Sequence, residues 1–151
     1  MAQKYKPLAD MVAPSIKDWK GVAENTKVSF QKRMPKEYVG DSYTTAYAKR
    51  KAAGKAKPKG LNQVSRSTSP DLTLTGNMLK EINATSTGNS AKLEWTGANA
   101  AKIQGLDKGK FPMFVGKSPA SKNVDSDIEK FVNKLYDKRV KAQTQTVVFK
   151  I

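Results

Sequence analysis

The sequence predicts an α+β domain in which an N-terminal and a C-terminal helix pack on a small, mainly antiparallel sheet, with a long basic loop between them. Three observations predict it. An apolar stripe recurs at three- and four-residue steps from Val12 to Met34; a two-residue alternation surrounds Gly88-Asn89; and a second helical stripe runs from Ile128 to Val140. At 151 residues the chain suits one domain. We expect an arm over 1–13, a single domain over 14–151, an extended basic loop at 36–70 and a closing strand at 144–151.

Pro14-Ser15 is a helix start, and Val12, Ile16, Trp19, Ala23, Thr26, Phe30 and Met34 form one face of a helix expected over about 14 to 35, ending at Pro35. From Lys36 to Pro70 the periodicity is lost, apart from a short turn around Tyr43, Tyr47 and Ala48. This segment carries Lys49, Arg50, Lys51, Lys55, Lys57 and Lys59 within eleven residues and no acid among them. A loop of that length in a compact domain is usually functional or needs a neighbour to order it.

Leu72-Thr73-Leu74 alternates into Thr75-Gly76, where Thr75 is the expected N-cap of a short helix from Asn77 to Ile82. Strands at about 82–87 and 91–96 follow, joined by Gly88-Asn89, with Ala91, Leu93 and Trp95 on one face and Lys92, Glu94 and Thr96 on the other. Ala98 to Leu106 is a short helix. Ser126 with Glu129 reads as a capping box before Ile128, Phe131, Val132, Leu135 and Val140. The end of the chain alternates again, with Gln145, Val147, Phe149 and Ile151 against Thr144, Thr146, Val148 and Lys150.

Composition limits the chemistry. Cysteine and histidine are absent, so disulfides, thiolate metal sites and every Ser-His or Cys-His catalytic arrangement are excluded. The best enzymatic pattern is a metal-dependent nuclease built on Asp71 and Glu94, but Thr96 stands where an activating lysine is required. Asp125, Asp127 and Glu129 are explained by the positive end of a helix dipole rather than by a metal. No enzyme and no cofactor is expected. No apolar run approaches the ~20 residues of a membrane span, and the first residues, Met1 to Pro7, lack the apolar stretch of a signal peptide. We expect a soluble protein made in a cytoplasm.

The net charge is +15; residues 1–66 carry 15 Lys/Arg against 5 Asp/Glu, and residues 67–151 carry 13 against 8. Such an excess favours a polyanionic partner without identifying it. On charge alone the chain could be a free basic nucleic-acid-binding protein of ribosomal or nucleoid type. That reading predicts affinity for DNA or RNA with a steep salt dependence.

From Tyr47-Ala48-Lys49-Arg50-Lys51, through Pro70-Asp71-Leu72-Thr73-Leu74-Thr75-Gly76-Asn77-Met78-Leu79-Lys80-Glu81-Ile82, to Gln104-Gly105 and Phe111-Pro112-Met113-Phe114-Val115-Gly116, the sequence resembles the phage neck and tail-completion proteins. This head-tail joining group includes the virion-morphogenesis protein of Mu-like phages. Its members share an N-terminal helix, a basic loop, a Leu-x-x-Thr-Gly element before a short helix and hairpin, a "Pro-Phe-Phe-Gly"-like turn and a C-terminal helix. The likeness covers about residues 14 to 142, although the chain lacks the group's His before Gln104-Gly105 and has Lys110 two residues before Pro112.

The resemblance implies a structural subunit of the bacteriophage head-tail connector, as a neck, tail-completion or tail-terminator ring of six or twelve copies around the DNA channel of the virion. Its partners would be portal-adaptor or head-closure proteins on one side and tail-tube or tail proteins on the other, with non-specific contact to genomic DNA and no membrane. In that setting the basic run at Lys49, Arg50, Lys51, Lys55, Lys57 and Lys59 is the candidate contact to DNA or to an acidic partner ring. Phe111, Met113, Phe114, Val147 and Phe149 are the candidate subunit interface.

Overall fold

Ser15 opens the first helix, α1 (Ile16–Glu37), with a capping box. Its hydroxyl accepts from the Asp18 N–H at 3.3 Å, while the Asp18 carboxylate accepts from the Ser15 N–H at 2.8 Å. Two of the otherwise orphaned donors of the first turn are thereby satisfied. In the computed structural model, which describes residues 13–56, 65–70, 77–109, 111–115 and 118–144, eight further elements follow. They are α2 (Thr45–Ala52), α3 (Asn77–Lys80), β1 (Ile82–Ser86), β2 (Ala91–Trp95), α4 (Gly97–Asp107), β3 (Phe114–Val115), β4 (Ser118–Pro119) and α5 (Val124–Thr144).

The architecture is α+β. Strands β1 and β2 pair antiparallel with Ile82 opposite Trp95 and Ser86 opposite Ala91, and a second small ladder sets Phe114 opposite Pro119. The hairpin lies on α1, and α5 lies alongside α1 in the opposite direction: Asp127 meets Ser29 and Arg33 at one end, and Arg139 meets Asp18 at the other. The core gathers Phe30 and Met34 of α1, Leu79, Ile82, Ile103, Met113, Ala120 and Val124. Trp95 closes it with an edge contact to Phe30 at a ring-centroid distance of 5.8 Å, while its indole N–H donates to the Met78 carbonyl at 2.9 Å. That bond satisfies the polar end of a mostly apolar side chain.

Several expectations are corrected. Helix α1 passes through Pro35 to Glu37 rather than stopping at it. Proline forfeits only its own N–H bond near a C-terminus, and Glu37 is anchored from outside the helix by Ser121 at 3.0 Å and Asn123 at 3.1 Å. The segment 36–70 is not one loop, because its first residues complete α1 and eight more form α2. The short helix after Thr75 ends at Lys80 rather than Ile82, which begins β1. The last helix begins at Val124, ahead of Ser126, so the expected Ser126–Glu129 capping box does not form; the Asp127 N–H already donates to the Asn123 carbonyl at 3.1 Å. Val140, assigned to the inward stripe, is 50% exposed. The strand expected at 144–151 does not begin at Thr144, which is the last residue of α5; its remaining residues, the proposed N-cap Thr75 and most of the arm lie outside the described residues.

Candidate functional site

Helix α2 carries the first part of the basic run. Thr44 caps it, its hydroxyl accepting from the Tyr47 N–H at 3.4 Å. At its other end the Gly54 N–H donates to the Lys51 carbonyl at 3.0 Å and the Lys55 N–H to the Arg50 carbonyl at 2.8 Å, with Gly54 at φ +72°. This pair of bonds around a left-handed residue is a Schellman stop. Lys49, Arg50 and Lys51 fall in the last turn, where positive charge complements the helix dipole and satisfies part of its field before any partner arrives.

Helical geometry splits the basic residues into two sets. Lys49, Arg50 and Lys55 are exposed. Lys51 is one turn beyond Tyr47 and turns inward with it; it is fully buried. Its ammonium lies 4.9 Å from the centre of the Tyr43 ring and 3.4 Å from that tyrosine's hydroxyl oxygen. A desolvated cation over an aromatic face is a packing interaction. Lys51 is therefore withdrawn from the contact surface assigned to it, because the expected loop is helical and a helix must bury one face. Lys57 and Lys59 lie outside the described residues.

The same cluster brings together two stretches that the sequence separates widely. Tyr43 packs edge-on against Tyr47 at 5.0 Å and at a tilt against Phe111 at 5.6 Å. Phe111 is half-buried, and its ring lies beside Tyr43 next to the basic helix. Met113 is fully buried in the core. Its N–H donates to the Asp107 carboxylate at 2.7 Å and its carbonyl accepts from the Ala120 N–H at 2.8 Å. It is therefore removed from the subunit interface assigned to it: the apolar run around it reads equally as core or contact, and the backbone bonds on both sides turn it inward. Of Phe114 the structure gives only the strand position, and Val147 and Phe149 lie outside the described residues.

Tyr38 could not be found from sequence. Its hydroxyl is buried and has no hydrogen-bond partner among the described residues. Burial, reinforced by the negative charge of Asp41, pushes its pKa up to about 12. Gly40 packs so closely on the Tyr38 ring that any side chain there displaces it.

What this arrangement offers chemically is charge on a rigid support. Lys49, Arg50 and Lys55 can meet phosphate or carboxylate oxygens, and arginine can do so through two parallel bonds. Tyr43 is engaged by Tyr47, Phe111 and Lys51, which leaves it poorly placed to stack on a base. For the nuclease pattern, Glu94 pairs with Lys92 at 2.7 Å and Asp71 lies outside the described residues. Comparison with protein-family models, with curated proteins and with solved structures finds no match to this chain.

Substituting Gly54 tests the stop that fixes Lys55. Gly54→Ala forces a β-carbon into the left-handed region, and we expect a loss of about 1–2 kcal/mol by chemical denaturation. A stabilised protein would show that α2 does not end in this way.

Proposed function

We propose that the chain is a non-enzymatic structural subunit of a bacteriophage head-tail connector, one copy in a ring that joins head to tail around the DNA channel. The observation that carries the reading is the order of elements. A capped N-terminal helix, a basic segment, a short helix running directly into a hairpin, and a long C-terminal helix follow one another as in the group that the sequence resembles. The net charge of +15 supports a polyanionic neighbour. In this reading Lys49, Arg50 and Lys55, with Lys57 and Lys59 beyond them, face DNA phosphates or the acidic surface of an adjoining ring. Phe111 borders that face.

The experiment is to delete the gene from a phage that encodes the protein and examine the particles by electron microscopy. The expected result is DNA-filled heads separate from finished tails, with joining restored by the wild-type gene. A triple variant, Lys49→Glu with Arg50→Glu and Lys55→Glu, should leave the fold unchanged and lower infectious titre at least tenfold. Firmly joined, DNA-retaining particles in the deletion strain would rule the reading out. If instead the purified protein bound DNA or RNA with an affinity falling about a thousandfold from 50 to 200 mM salt, and never bound connector or tail proteins, it would be a free nucleic-acid-binding protein.

A further inference from the structure

The seam between α1 and α5 matches its acids internally. Arg33 holds both Asp127 and Glu37, and Arg139 holds Asp18. These are the only arginines of the two helices, so the seam binds its carboxylates with guanidinium groups and leaves the flanking lysines over. Lys32 and Lys36 of α1 and Lys134 and Lys138 of α5 are exposed, and among the described residues none of the four has an ion pair.

Helical geometry puts the four on one side of the molecule. Ser29 faces α5 through Asp127, and Phe30, about 100° further round, faces the hairpin through Trp95. Lys32 and Lys36 stand about 60° and 20° from Ser29 in the opposite sense, on the flank away from the hairpin. On α5, Asp127 faces α1 and Val132, about 140° round from it, borders the hairpin. Lys130, Lys134 and Lys138 follow one another at single-turn steps within about 60° of Asp127, and the row rises about 12 Å. Lys130 heads it, 4.0 Å from the Asp127 carboxylate. Lys134, Lys138 and Lys141 border one open hollow together with Asp137, which offsets part of the surplus.

We propose that this two-helix face is a second anion-binding surface, built on other elements than the basic helix α2, and that its ligand is the phosphate backbone of duplex DNA, bound without regard to sequence. Lysine is a point charge on a flexible stem, whereas arginine presents a fixed fork that suits carboxylates held in one geometry. Both arginines here are spent on the seam, and what remains outside is lysine alone. A folded acidic protein offers carboxylates at fixed positions. Duplex DNA carries a charge for every 1.7 Å or so of its axis, so each mobile ammonium finds an oxygen without a set register. Single strands are bound by stacking as well as by charge, and this face supplies no ring: Tyr136, the exposed aromatic of α5, stands about 160° round the helix from Lys138. A second copy of a chain whose net charge is +15 would meet the face with like charge. The contact needs no ring of subunits, and it stands or falls apart from the connector reading.

The test is lysine footprinting of the full chain with a short duplex of mixed sequence, acetylating with an N-hydroxysuccinimide ester and reading each lysine by peptide mass. We expect the duplex to slow acetylation of Lys32, Lys36, Lys134 and Lys138 at least fivefold and to leave Lys80 and Lys102 within twofold. In fluorescence anisotropy, changing the four face lysines together to glutamine should weaken duplex binding at least tenfold at about 100 mM salt and reduce the slope of log affinity against log salt by about 3. The matched control, Lys80→Gln with Lys92→Gln, Lys102→Gln and Lys108→Gln, removes the same charge from α3, the hairpin and α4, and should change affinity less than threefold. Circular dichroism should be the same for both variants, since every substituted side chain is exposed. Equal losses in the two variants would reduce the binding to net charge and overturn the proposal. Protection confined to Lys49 and Lys55, or no duplex binding even at about 50 mM salt, would overturn it as well. Stronger protection of the four lysines by polyglutamate or by anionic vesicles than by duplex, at equal total charge, would overturn DNA as the ligand.

Discussion

Phe30→Ala lowers the stability of this fold by about 3–5 kcal/mol, the largest loss we expect from any single truncation. Phe30 is fully buried, and it stands where α1, the hairpin and the segment leading into α5 meet. Removing the ring deletes the partner of Trp95 and opens a void beside Ile82 and Met113 that a tightly bonded neighbourhood cannot collapse to fill. In thermal unfolding the midpoint should fall on the order of 10 °C. Val28→Ala is the control: on the same helix, but 61% exposed, it should change stability by less than about 0.5 kcal/mol. Equal effects at the two positions would mean that α1 buries a different face.

The features legible in the sequence are those written locally. The hairpin follows from the alternation around Gly88-Asn89, with each strand one residue shorter than expected. Helix α4 extends the expected Ala98–Leu106 by one residue at each end. What was not legible depends on partners distant in sequence. Pro35 is a local stop signal, overridden by Ser121 and Asn123 holding Glu37. Ser126–Glu129 matches the capping pattern better than Ser15–Asp18, yet the latter forms and Asp127 is committed to Arg33. Lysine-rich composition gave no sign that residues 45–52 are helical, so it could not tell the inward Lys51 from the outward Lys49 and Arg50. Phe111 meeting Tyr43 is a tertiary fact with no periodic trace.

The second large effect is loss of stability in acid, and it arises where α1 and α5 are tied together. Arg33 grips Asp127 through two bonds, Nε to Oδ2 at 2.6 Å and Nη2 to Oδ1 at 3.1 Å, and reaches Glu37 through Nη1 at 2.8 Å. Ser29 adds a hydroxyl donor to Asp127 at 2.5 Å. Hydrogen bonding from Arg33, then from Ser29, holds the Asp127 carboxyl below the usual range. At Glu37 burial pushes upward, but the bonds from Arg33, Ser121 and Asn123 together outweigh it and leave this carboxyl lowered as well. A carboxyl whose pKa is lower folded than unfolded contributes stability that is complete above the unfolded value of about 4. That contribution is lost as pH falls through the folded value, because the unfolded chain then binds protons that the folded chain refuses. Arg33 is shifted upward by the same contacts and stays charged throughout. Urea unfolding should therefore show a flat stability from pH 7 to about 5 and a steep fall below about 4. Asp127→Asn should lower stability at pH 7 by more than Glu94→Gln, which breaks an exposed pair worth less than about 1 kcal/mol, and it should also flatten the acid limb. An acid limb of unchanged steepness in Asp127→Asn would place the responsible carboxyls elsewhere in the molecule.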